Sequence, residues 1–163
     1  MIIRLKNKDT LIADDFKFKC CIGKNKLKKN KVEGDYATPK GRFILESLYY
    51  RKERLARPKT NLKIYEIKKK IGWCTDINSN LYNKEFIINK KLKHEKLFRK
   101  DYKYDFFIVT SYNRKKIIKN KGSAIFIHLT KDYKPTAGCI ALNKKDFLIL
   151  LKIIKKNTKI IID

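Results

Sequence analysis

Two stretches, Ser123-Ala124-Ile125-Phe126-Ile127-His128-Leu129 and, after a short loop, Thr136-Ala137-Gly138-Cys139-Ile140-Ala141-Leu142, decide how this chain is read. Each is a short apolar run of strand length. Period-2 alternation in the first puts Ala124, Phe126 and His128 on one face and Ile125, Ile127 and Leu129 on the other. In the second, Cys139 and Ala141 share a face opposite Ile140 and Leu142. Gly138 permits a turn or a close backbone approach that a Cβ would forbid. Ten residues lie between His128 and Cys139, enough to bring two neighbouring strands side by side. A cysteine beside a histidine can pass it a proton, and the thiolate is the reactive form. Spacing alone leaves a second reading equally open, with His128 a satisfied core residue and Cys139 an inert buried thiol.

The rest of the chain reads mostly as strands. Ile2 to Leu5, Thr10 to Ala13 and Phe16 to Ile22, separated by polar turns, predict an opening β-meander. Lys24 to Lys31 reads as a polar loop, and Phe43 to Tyr50 and Leu62 to Ile67 as further strands. Lys68 to Lys103 is less regular. Tyr104 to Tyr112 is rich in β-branched and aromatic residues, as strands are. Asn143 suits a helix cap with Asp146 at the third position, and Phe147, Leu150, Leu151 and Ile154 fall on one helical face. Thr158 to Ile162 closes the chain as a strand. With no linker or internal repeat, residues 1–163 are expected to form one domain, mostly β (a β-rich α+β chain) with one clear helix.

Composition limits the function classes. A hydrophobic fraction of 43%, with 9 Phe, 9 Tyr and 1 Trp, describes a folded chain. No stretch approaches the ~18 continuous apolar residues that span a bilayer, and Met1 to Lys6 lacks the features of a signal peptide. The net charge of +26 suggests phosphate binding. Only 7 of the 42 basic residues are arginine, however, and the lysines run from Lys6 to Lys159 without a basic tail. A solvated basic surface that favours anionic polymers or an anionic envelope is the simpler reading, and no specific nucleic-acid partner is expected. Cys20 and Cys21 are adjacent and there is no C-x-x-C pair, so neither a metal site nor a disulfide framework is expected. Cys20, alternating with Phe16, Phe18 and Ile22, reads as a small core hydrophobe.

Thr136-Ala137-Gly138-Cys139 after a strand-borne His128 resembles the signature of the L,D-transpeptidase catalytic domain (YkuD-like) family, a His followed by Ser/Thr-His-Gly-Cys. Gly34-Asp35-Tyr36-Ala37-Thr38-Pro39-Lys40-Gly41-Arg42-Phe43 resembles that family's G-D-x-x-T-P-x-G-x-F segment. Gly72-Trp73-Cys74-Thr75-Asp76, Tyr82-Asn83, His94-Glu95 and Tyr104-Asp105 are similar to a bacterial subgroup of short, single-domain members, so the resemblance covers essentially the whole chain. It implies a mixed-strand, sandwich- or barrel-like catalytic fold, no cofactor, a monomer and a place in the periplasm or cell envelope.

The resemblance further implies Cys139 as nucleophile and His128 as general base and then acid. The amides of Gly138 and Cys139 would stabilise an oxyanion, with Thr136 and Ser123 orienting loop and imidazole. The substrate implied is a peptidoglycan stem peptide, attacked at the L-centre of diaminopimelate with loss of D-Ala, then joined to a neighbouring stem as a 3→3 cross-link. Three features depart from the motif: Ala137 replaces its second His, the loop from His128 to Thr136 is short, and Ala141 stands where many members carry Arg. His94 is a minor candidate for the missing His. Two rivals stay open. With water as acceptor the same dyad makes an L,D-carboxypeptidase or amidase. A non-enzymatic basic binding protein would lack a thiol of depressed pKa.

Overall fold

The computed structural model describes residues 1–89 and 91–163. The chain opens with β1 (Ile2–Lys6), β2 (Thr10–Ala13) and β3 (Phe16–Cys21), a meander whose strands alternate between core and solvent as their sequence requires. Two-residue strands β4 (Leu27–Lys28) and β5 (Thr38–Pro39) follow, then the long β6 (Gly41–Tyr50) and β7 (Lys63–Glu66). The middle of the chain forms β8 (Ile71–Cys74), β9 (Glu85–Ile87) and β10 (His94–Lys96). The last part carries β11 (Phe106–Thr110), β12 (Phe126–Leu129), β13 (Ile140–Leu142), the helix α1 (Lys144–Ile153) and β14 (Lys159–Ile162).

Nine of these strands lie in the order β11-β12-β13-β3-β2-β1-β14-β6-β7, and β11 also pairs with β6. That extra pairing joins the two ends of an eight-strand run, so the sheet closes on itself like a barrel and hides its edges. The strands are mixed in direction: β1 runs parallel to β14 and β12 parallel to β13, while most other neighbours are antiparallel. First and last strands of the chain are therefore hydrogen-bonded neighbours. A separate three-stranded sheet, β10-β8-β9, occupies the region that the sequence left irregular. Among the described residues no helix is long and apolar enough to cross a membrane.

Two hydrophobic clusters divide the interior. The larger gathers Ile3, Leu11, Leu48, Ile108, Ile127, Leu129, Ile140 and Leu142 around one face of α1. The smaller holds Tyr49, Trp73, Tyr104, Phe107, Phe126 and Cys139. Alternation along β12 and β13 accounts for the division: odd residues of β12 and even residues of β13 enter the first cluster, while Phe126 and Cys139 enter the second. Helix α1 buries Phe147, Leu150 and Leu151, each contributing roughly 2 kcal/mol of apolar transfer. Its start is fixed by Asn143, whose Oδ1 accepts from the Asp146 N–H at 2.9 Å. The same side chain donates to the Asp146 carboxylate and to the Tyr133 hydroxyl, each at 2.7 Å. Asn143→Ala removes this cap and is expected to lower unfolding stability by about 1 kcal/mol, read as a shifted urea midpoint with an unchanged slope.

Candidate active site

Parallel pairing of β12 with β13 sets Ile127 against Ile140 and His128 against Ala141. Cys139, one residue before β13, therefore reaches the level of Phe126, on the same side of the sheet as His128. Both residues line one cavity of about 210 Å³, together with Lys31, Glu33, Glu95, Tyr104 and Ser123. A second cavity of about 460 Å³ lies beyond His128 and is bordered by Arg99, Lys103, Lys131, Lys134 and Asp132. Tyr104, His128 and Ala137 belong to both, so they form the wall between the two spaces. Ala137 stands exposed in that wall, where a larger side chain would narrow the passage.

His128 is held on two sides. The Tyr104 ring meets it edge-on, with centroids 5.2 Å apart. Its Nδ1 lies 3.0 Å from the Leu129 carbonyl, which can only accept, so Nδ1 carries the proton and Nε2 is left with a free lone pair. Burial depresses the imidazole to about 4, against the pull of the Leu129 carbonyl, and the charges of Lys103 and Arg99 push the same way. The ring is thus a neutral base at physiological pH.

Cys139 is also buried. Burial pushes its thiol up to about 12, with the Phe126 N–H working in the opposite direction. The thiol donates to the Ala124 carbonyl at 3.2 Å and accepts from the Phe126 N–H at 3.3 Å. In this resting arrangement its proton points to a backbone carbonyl rather than to His128. The depressed thiol expected of an enzyme is not the state seen here: a desolvated thiolate has too little compensating charge around it. Proton transfer to Nε2 therefore requires the sulfur to turn away from Ala124.

The loop before Cys139 is held tightly. Thr136 donates from Oγ1 to the Cys139 carbonyl at 2.6 Å and accepts the Gly138 N–H at 3.1 Å. The Gly138 amide, expected to face an oxyanion, is thus engaged within the loop. Gly138 has φ +142, and a Cβ there would sit 2.9 Å from the Ala37 carbonyl oxygen, so the Gly34–Phe43 segment and the cysteine loop pack backbone to backbone. Thr38, fully buried, donates from its hydroxyl to the Gly138 carbonyl at 2.8 Å and accepts the Gly23 N–H at 2.9 Å. Asp35 organises the neighbouring turn through Lys31 and the N–H groups of Val32 and Ala37.

Other residues fall where the sequence did not place them. Ser123 donates to Glu33 at 2.7 Å and makes no recorded bond to the imidazole. His94 lies in β10 opposite Cys74, its ring against Phe86 and its Nδ1 2.8 Å from the Leu92 carbonyl, outside both cavities. Its neighbour Glu95 faces the cysteine cavity instead. Glu95 stands in a segment that carries the family resemblance, but the sequence assigns it no role, and Lys31 and Glu33 carry no signal because nothing in a Lys-rich chain marks one charged residue above another. Among the described residues no three His, Cys, Asp or Glu side chains gather as a metal site.

Comparison with known proteins agrees with the family and the fold. The family model for the L,D-transpeptidase catalytic domain matches residues 2–162. The chain belongs to that family. No curated protein matches it. A solved structure, that of the helical cell shape determining protein Pgp2 from Campylobacter jejuni, has a similar fold, with TM-score 0.53 and 18% identity over 99% of this chain. The chain spans only 46% of that protein's length.

The depressed imidazole has a consequence for stability. Unfolded His128 binds its proton near pH 6.5, whereas the folded ring does so only near 4, so stability is full above 6.5 and is lost as pH falls toward 4. Between pH 7 and 4.5 this group is expected to remove about 2–3 kcal/mol. Urea titrations of the native chain and of His128→Gln at the two pH values should show that this part of the acid loss is absent in the variant.

Proposed function

We propose that this chain is a cysteine-dependent L,D-transpeptidase domain, one catalytic unit across residues 1–163, acting on peptidoglycan stem peptides at the cell envelope as a monomer. The observation that carries this reading is that His128 of β12 and Cys139, just before its parallel neighbour β13, line one cavity. Cys139 attacks the carbonyl at the L-centre of diaminopimelate as its proton passes to Nε2 of His128. The Cys139 N–H faces the oxyanion, while Gly138 and Thr136 hold the loop in shape. As the tetrahedral intermediate collapses, the imidazolium returns that proton to the amine of the departing D-Ala, leaving a thioester on Cys139. His128 then takes a proton from an amine on a second stem, which displaces the sulfur and forms the 3→3 cross-link.

Two features favour an amine acceptor over water. His128 borders both cavities, so it can serve a donor in one and an acceptor in the other. The larger cavity is edged by four cations and a single acid, a setting that attracts the carboxylates of a stem peptide. The +26 charge of the chain acts in the same direction on an anionic envelope. Incubation with a disaccharide-tetrapeptide should release D-Ala and yield a cross-linked dimer. Cys139→Ala should abolish release, and His128→Ala should reduce it by at least about 10²-fold, the scale of general acid–base catalysis. Free tripeptide as the sole product would assign the water reaction instead. Unchanged release by Cys139→Ala would remove the cysteine from the chemistry.

A further inference from the structure

Lys31 is the only lysine buried among the described residues, at 4% exposure, in a chain whose other basic side chains mostly reach solvent. Among the described residues it is also the only cation lining the cavity that holds Cys139 and His128. Its path there is made by two glycines in left-handed backbone. At Gly122, φ +92, a Cβ would fall 2.6 Å from the lysine Cε, and at Gly138, φ +142, a Cβ would fall 3.4 Å from Nζ. A side chain at Gly122 would strike the lysine stem, whereas Gly138 lies at contact distance from its ammonium, which thus comes up beside the residue that precedes Cys139. Asp35 anchors it at 2.6 Å, and Lys28 stands 3.5 Å from the same carboxylate. Although burial opposes it, Lys31 and two backbone N–H groups hold the Asp35 carboxyl down at about 2, so the anchor is ionised throughout the working range.

We propose that Lys31 is the cation that stabilises negative charge at Cys139, with Asp35 setting how much of that charge the site feels. The inference rests on Cys139 being the nucleophile, as proposed above. When the thiol proton moves to Nε2 of His128, sulfur becomes a buried thiolate, and the charge then passes to the carbonyl oxygen of the substrate. The cavity that holds the sulfur is lined by His128 and Tyr104, by Glu95 from β10, and by Glu33 with Lys31 from the segment between β4 and β5. Glu33 is engaged by the hydroxyls of Tyr82 and Ser123. Glu95 disfavours the thiolate and Lys31 favours it. Without Lys31 the developing anion would meet Glu95 with no compensating cation in the cavity lining among the described residues.

A purely structural role for the Lys31–Asp35 pair and an electrostatic one differ in sign. Iodoacetamide alkylation of the Cys139 peptide, followed by mass spectrometry between pH 6 and 10, reads the thiolate fraction directly. Lys31→Gln is expected to slow alkylation at pH 8 by about tenfold, equivalent to one unit in the thiol. Asp35→Asn keeps the size of the side chain, though with one accepting oxygen where Asp35 has two, and removes the balancing anion, so it should speed alkylation. Equal changes in the same direction, or no change in either variant, would overturn the proposal. Thermal melts identify a variant that has not folded, and Asp35→Asn alone then decides by the sign of its effect. D-Ala release by the native chain is followed in parallel. Its absence would defeat the transpeptidase reading but leave the measured effect of Lys31 on the thiol standing, whereas normal release with unaltered alkylation would defeat the lysine proposal alone.

Discussion

The Thr38 hydroxyl is the contact on which the site depends. It accepts from the Gly23 amide and donates to the Gly138 carbonyl, with no part of the side chain exposed. One atom thus ties together the end of the opening meander, the Gly34–Phe43 segment and the loop that presents Cys139. Removing either partner of a buried hydrogen bond costs the desolvation of the one left behind, about 1–3 kcal/mol, so the three segments move as a unit. Gly138 makes the bond possible, because a Cβ at that position would press on the Ala37 carbonyl. The two motif segments lie some hundred residues apart in sequence, yet they form a single surface.

Barrel closure provides the rest of the setting. Pairing of β11 with both β12 and β6 makes a rigid wall behind His128, and Tyr104, just ahead of β11, packs against its ring. The interior beyond that wall is aromatic and buried. Such surroundings keep both thiol and imidazole neutral at rest, one pushed up and the other down by the same loss of water. A neutral pair does not attract as an ion pair would, which agrees with the thiol donating to Ala124 rather than to His128. Reaction in such a site needs charge to be balanced when it forms. Lys31 is the side chain placed to balance it.

Much of this was legible in the sequence, and what was not has physical reasons. Alternating strands such as Thr10–Ala13, and the Asn143 cap with its Phe147, Leu150 and Leu151 face, carry their periodicity openly. The small β10-β8-β9 sheet does not: Ile71–Cys74 is four residues long, its partners Glu85–Ile87 and His94–Lys96 are three each, and the latter is wholly polar. Strands β4 and β5 are two residues each and exist only through pairing with one another. His128 and Cys139 stood out because histidine and isolated cysteine are scarce here, and the alternation that assigns them to one face is local. Lys31 was hidden for the opposite reason. Its neighbours in sequence read as a solvated loop, and the room for its buried stem is left by the glycine at position 122, far along the chain. Ala137 was visible as a departure from the motif, but its place in the wall between two cavities is a property of the fold.

The most direct test of Cys139 as nucleophile is to catch the thioester itself. Intact-mass spectrometry of the native chain after brief exposure to a disaccharide-tetrapeptide should show an adduct equal to the substrate less D-Ala, mapped to Cys139 and released by hydroxylamine. An adduct on another residue, or D-Ala release in which no adduct forms under rapid quenching, would contradict covalent catalysis by Cys139.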